Sequence, residues 1–131
     1  MSFHTISAKT VMALHALILK RFPGLAGVRA PEQIGASLQA AHGSFEGREL
    51  YPSPLDKIAK ITVSLVQRHP FCDGNKRSGC LILLLLLELN GFTLQELPSP
   101  ELEDLMVAIA SGAVDEKQLC SLLKLKARPV P

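Results

Sequence analysis

Tryptophan is absent from this chain, tyrosine occurs once, and aromatic residues make up only 5% of it. Any core must therefore be aliphatic, and an apolar share of 47% is enough to build one. The shortage of rings also argues against a single-stranded nucleic-acid platform, which stacks bases on aromatic side chains. Charge of one sign is equally scarce: 14 Lys and Arg oppose 12 Asp and Glu, a formal net charge of +2. Tracking a phosphate backbone takes a dense basic stripe, and the cations here are scattered, so no direct nucleic-acid binding is expected. Three cysteines, Cys72, Cys80 and Cys120, cannot all pair within one chain. With no convincing secretory signal, they point to reduced thiols and a cytoplasmic location.

Long apolar runs are missing too. Val11 to Leu19 is interrupted by His15, runs into Lys20-Arg21 and lacks a cleavage site, which sets it apart from a signal peptide. Leu81 to Leu87 falls far below the ~20 residues that span a bilayer, so no membrane partner is expected. That run reads as a helix buried on all sides. No repeat, low-complexity tract or linker divides the 131 residues, which read as one domain over 1–131.

No stretch alternates as a strand, and helical periodicity dominates. The pattern predicts an all-α fold, a compact single-domain helical bundle around the buried Leu81–Leu87 helix. A first helix runs from near Ser7 to Arg21, before the breakers Phe22-Pro23-Gly24 and Gly27. Pro31 opens a second, reaching about Ala41. His42 to Pro54 is irregular, and Asp56 to Arg68 is helical again. His69 precedes a proline and should end that helix. The next begins near Gly74 and Asn75 and stops at Asn90-Gly91. Leu102, Leu105, Met106 and Ile109 mark a fifth, and Asp115 caps a sixth.

The chemistry concentrates in nine residues, His69-Pro70-Phe71-Cys72-Asp73-Gly74-Asn75-Lys76-Arg77. They form a tight connection into the N-terminus of an apolar helix, where exposed amides and the helix dipole favour an anion. Gly74 lets a ligand approach the backbone, and Arg77 offers a planar donor for phosphate oxygens. Asp73 is a hard oxygen ligand suited to magnesium, which is held by one or two carboxylates plus substrate phosphates. His69 lies across the turn, where a neutral imidazole can take a proton from a hydroxyl. Taken singly, each residue has a plainer reading: Asp73 as a cap, Asn75 as a turn residue, Lys76 and Arg77 as a solvated face, Phe71 as core. His69, Cys72, Asp73 and Cys80 also contain zinc-ligand types, but without Cys-x-x-Cys or His-x-x-x-His spacing. His15, on an apolar helix, reads as a hydrogen-bonded core histidine.

Taken together, the segment resembles the signature of the Fic/Doc (Fido) family, His-Pro-Phe-x-Asp/Glu-Gly-Asn-Gly/Lys-x-x-Arg. Leu14-His15, the stretch from Gly24 to Arg29, and Ala110-Ser111-Gly112 extend the likeness towards death-on-curing (Doc) toxins of toxin–antitoxin modules. The resemblance implies that His69 is the general base and that Asp73 holds Mg2+ against the phosphates of ATP. It implies that Gly74, Asn75 and Lys76 shape the anion-binding turn, that Arg77 contacts phosphate, and that Phe71 anchors the loop. Gly43 to Ser53 lies where the family has a target-docking flap, with Phe45 to Tyr51 as its candidate strand; an ordinary surface loop is the alternative.

Two departures steer the expected reaction. AMP-transferring relatives have Gly where this chain has Lys76, and a second Arg where it has Cys80. Both differences match Doc toxins, described as kinases of elongation factor Tu, whereas Gly74 is the Fic-like choice. The nearest approach to the family's internal inhibitory motif is Ser99 to Glu103, followed by Asp104, and it reads as a helix cap with an acidic first turn. The expected function is thus phosphoryl transfer from ATP to a hydroxyl of a translation factor such as elongation factor Tu, restrained by an antitoxin protein. AMP transfer and a catalytically silent partner-binding scaffold are the alternatives.

Overall fold

The structure, a computed structural model, describes residues 3–22, 24, 27–94 and 99–130. Helix α1 (Ala8–Arg21) starts where Ser7 Oγ accepts from Thr10 N–H, and α2 (Pro31–Gln39) has its proline in the first turn before running into a 3-10 turn, Ala40–His42. Helix α3 (Pro54–Arg68) begins two residues earlier than its periodicity suggests. Ser53 and Asp56 close a reciprocal capping box there, worth about 1 kcal/mol. Helix α4 (Asn75–Leu89) follows the motif, and α5 (Ser99–Ala110) precedes α6 (Glu116–Lys126), which Asp115 and Gln118 cap in the same reciprocal way. Glu101 gives α5 the expected acidic first turn; the side chain of Ser99, read as its cap, and residues Pro23, Leu25 and Ala26 lie outside what the structure describes.

The all-α expectation needs correcting, because two small antiparallel sheets join the six α-helices described. Strands β1 (Ser44–Phe45) and β2 (Arg48–Glu49) form a hairpin within the segment that reads as irregular. Glu46 (φ 51°) and Gly47 (φ 78°) both take left-handed conformations at its turn, whose twist matches that of paired strands. Strand β3 (Phe92–Leu94) pairs with β4 (Ala127–Pro129), with Phe92 opposite Pro129 and Leu94 opposite Ala127. This second sheet ties the end of α4 to the chain following α6.

Helix α3, rather than α4, carries the largest buried face. Every residue from Lys57 to Val66 except Lys60 is buried, and α3 packs against α2, α4, α5 and α6. Each fully buried Ile or Leu in that face contributes roughly 1.5–3 kcal/mol. Helix α4 buries Ile82, Leu83, Leu86 and Leu87, but Leu81 is 36% exposed and Leu89 43%. The two helices approach closely at Gly79, where a Cβ would overlap Val66 Cγ2. Thr62 Oγ1 and Ser78 Oγ are buried with no hydrogen-bond partner among the described residues. Among those residues, no helix is long and apolar enough to cross a membrane.

Candidate active site

The motif occupies the turn between α3 and α4, and its shape follows from a few backbone choices. His69 ends α3 in the left-handed region (φ 48°, ψ 59°), as the following proline requires a departure from right-handed helix. That conformation costs a non-glycine residue roughly 1 kcal/mol, so neighbouring contacts must hold it. Arg29 Nη2 donates to the His69 carbonyl at 2.8 Å, and the N–H groups of Arg29 and Ala30 donate to the Pro70 carbonyl at 2.8 and 3.0 Å. Val28 forms a bridge with Phe71, and Cys72 N–H donates to the Gly27 carbonyl at 3.2 Å. The segment before α2 therefore clamps the first half of the loop.

Helix α1 clamps the second half. His15, 4% exposed, bonds through Nε2 to the Asp73 carbonyl at 2.7 Å. A carbonyl only accepts, so Nε2 carries the proton. The His15 ring also stacks on Phe71, with centroids 3.7 Å apart and planes within 4°. Phe71 is 1% exposed, so both the core-histidine reading and the anchoring of Phe71 agree with the structure. A Cβ at Gly24 would collide with the Asp73 carboxylate, so that position admits only glycine while the carboxylate keeps its place.

Asn75 uses both ends of its amide on one residue: Oδ1 accepts from Phe71 N–H at 3.1 Å and Nδ2 donates to the Phe71 carbonyl at 2.9 Å. Its contribution is to the shape of the turn. Gly74 (φ 77°) occupies the N-cap of α4 and donates its N–H to Asp73 Oδ1 at 2.8 Å. Among the described residues no side chain caps this helix, and its first-turn residues Asn75, Lys76 and Arg77 line the adjoining cavity. That cavity has a volume of about 680 Å³. Its polar lining includes His69 and Asp73 to Arg77, with Cys80 and Glu103, and its apolar lining includes Leu17, Leu81, Leu84, Met106 and Val107. The guanidinium carbon of Arg77 lies 4.4 Å above the Phe22 ring.

The structure thus brings His69, Asp73, Gly74, Asn75, Lys76 and Arg77 to a single cavity. Among the described residues, no three His, Cys, Asp or Glu side chains come together as a metal cluster, so His69, Cys72, Asp73 and Cys80 do not form a zinc site. Burial, with Glu103 adding to it, pushes the Cys80 thiol above its ordinary range, so it remains neutral at physiological pH. The Gly43–Ser53 segment stands out from the body, with Phe45 67% exposed. Its base is held by buried Lys57, whose Nζ bonds Glu49 Oε1 at 2.9 Å and the Tyr51 carbonyl. Sequence reading missed the loop-supporting parts of Gly24 and Arg29, the contact of Phe22 with Arg77 and the position of Glu103. Only the glycine gave a local signal, since the other contacts join segments far apart in the chain.

A sequence model described as the Fic/DOC family matches residues 5–87, a stretch that includes His69 to Arg77 and helix α1. The chain is 32% identical over 122 residues to a protein of Escherichia phage P1 named protein kinase doc, covering 91% of this chain and 92% of that one. It is 30% identical over 95 residues to a protein of Mycolicibacterium smegmatis named toxin Doc, covering 72% of this chain and 73% of its relative. A family match spanning both the clamping helix and the loop it clamps, with relatives matched over most of their length, leads to one conclusion: the chain belongs to the Fic/DOC family.

Proposed function

We propose that this protein is a Doc-like toxin that transfers the γ-phosphoryl group of ATP to a hydroxyl of a target protein. The single observation that carries the reading is the convergence of His69, Asp73, the uncapped start of α4 and Arg77 on one cavity. The relatives' printed names, a protein kinase and a toxin, point the same way. In this reading the amides of the first turn and Arg77 hold the phosphates, and His69 accepts the proton of the attacking hydroxyl on a ring nitrogen. The hydroxyl oxygen forms a bond to the γ-phosphorus as the bond to the bridging oxygen breaks, and ADP departs.

Asp73 fits magnesium better than zinc. It is a hard carboxylate that belongs to no His/Cys cluster among the described residues, and Mg2+ takes its other ligands from phosphates and water. When bound, the ion supplies charge neutralisation for the phosphates. The preference for phosphoryl over adenylyl transfer rests on Lys76 and Cys80. An exposed lysine at the turn crowds the position where α- and β-phosphates would settle and offers a point charge to a terminal phosphate. Cys80, lining the cavity as a neutral thiol, supplies no second guanidinium. The proposed target is a translation factor such as elongation factor Tu, and the proposed regulator is a cognate antitoxin.

Purified protein incubated with ATP, magnesium and elongation factor Tu, followed by mass spectrometry of the target, tests this directly. The expected product carries a phosphoryl group, and His69→Ala should abolish transfer while leaving ATP binding nearly intact. Adenylylated product alone would overturn the kinase reading, and parental activity in His69→Ala would overturn the assigned base.

A further inference from the structure

We propose that Phe22 is a positioning residue for Arg77, holding the guanidinium by its face so that its N–H edge is presented to the phosphates. This rests on the phosphate-binding role proposed above for Arg77. Arg77 is exposed in the first turn of α4, and among the described residues no carboxylate pairs with it. An unrestrained arginine samples many rotamers and loses that freedom when it grips an anion. Here the side chain already rests on a surface. Its guanidinium carbon is 4.4 Å from the Phe22 centroid, well within the ~6 Å range of a cation–π contact.

Phe22 is suited to the task by its position at the end of α1. Its N–H donates to the Ile18 carbonyl at 2.7 Å, a backbone bond independent of the ring. Phe22 is 46% exposed and lines the cavity, so it contributes little to the core. A guanidinium that lies flat on a ring keeps its in-plane donors for oxygen anions. The His15 and Phe22 contacts therefore make α1 the support for both the Asp73 carbonyl and the Arg77 cation.

Tripolyphosphate with magnesium is a suitable probe because it has no base that could stack on the ring. By calorimetry, Phe22→Leu should weaken its binding about two- to fivefold, as expected for a partly exposed cation–π contact. Phe22→Trp should restore parental affinity, and Phe22→Leu should have no further effect in an Arg77→Ala background. Thermal midpoints of the single variants should stay close to the parent, since the ring is half in solvent. Equal losses in both backgrounds would overturn the proposal, because the ring would then act on the ligand without Arg77. Unchanged binding in Phe22→Leu alongside weakened binding in Arg77→Ala would overturn it too, while leaving the phosphate role of Arg77 standing. Unchanged binding in Arg77→Ala would remove both.

Discussion

Replacing His15 by phenylalanine separates two contributions that the native ring makes at once. The substitution keeps a flat ring that can stack on Phe71 but deletes the donor to the Asp73 carbonyl. A typical intramolecular hydrogen bond is worth about 0.5–1.5 kcal/mol net, and an orphaned buried acceptor costs about 1–3 kcal/mol. The carbonyl belongs to an exposed residue on the cavity rim, where water can replace the lost donor, so the lower range applies. His15→Phe should therefore cost about 1 kcal/mol and lower the melting midpoint by about 3–5 °C. His15→Ala also removes the stack and opens a void in a site 4% exposed, and should cost about 3 kcal/mol. Activity should respond more sharply than stability. A carboxylate displaced by even ~1 Å can cost up to about a hundredfold in rate, whereas a 1 kcal/mol loss leaves nearly all of a typical domain folded. Calorimetric melting and a phosphoryl-transfer assay on the same His15→Phe preparation should show a small midpoint shift and a loss of transfer of about tenfold. Parental values for both would refute the idea that this bond fixes the loop.

Three other perturbations probe different parts of the molecule. Gly79→Ala forces a methyl group against the stiff Val66 side chain and should destabilise by about 1–3 kcal/mol in denaturant titration; a stability within error of the parent would mean that the crossing is looser than described. Thr62→Val replaces a buried, unpartnered hydroxyl by a methyl of nearly the same shape and should stabilise by about 1 kcal/mol, whereas a loss would reveal a partner for Oγ1. Burial first, then the hydrogen bond to Asp56, push the Cys120 thiol from 9.0 up to about 11. The folded state therefore holds that proton more tightly than the unfolded chain. This contribution to stability is complete below pH 9.0 and is lost as pH rises towards 11, so denaturation curves of Cys120→Ala should fall less steeply over that window than those of the parent.

Helix ends were the most legible part of the fold because their signals are local. Ser7, Pro31 and the Asp115–Gln118 pair each sit within one turn of the boundary they set, and Gly91 (φ 86°) follows the last turn of α4. The sheets were not legible. Strand β3 has three residues and finds its partner beyond α6, so neither alternation nor a nearby turn announces it. Glu46-Gly47 makes the tight turn of the other hairpin without the Asn or Asp that usually marks one. Leu81 and Leu84 look like core in a one-dimensional pattern, yet they line the open cavity. In the site, the nine-residue motif was readable because it is contiguous. Its supports were not, since His15 meets Asp73 across 58 residues and Arg29 meets His69 across 40.

That long reach gives the site a stability of its own, distinct from that of the fold. Helix α1 buries only Val11, His15 and Ile18, against nine residues in α3, so its detachment should require far less free energy than global unfolding. Detachment would release the Asp73 carbonyl, unstack Phe71 and withdraw Phe22 from Arg77 while α3 remains packed against α4, α5 and α6. The proposed chemistry thus depends on one of the more weakly held parts of the molecule, and mild denaturant should silence it before the core opens.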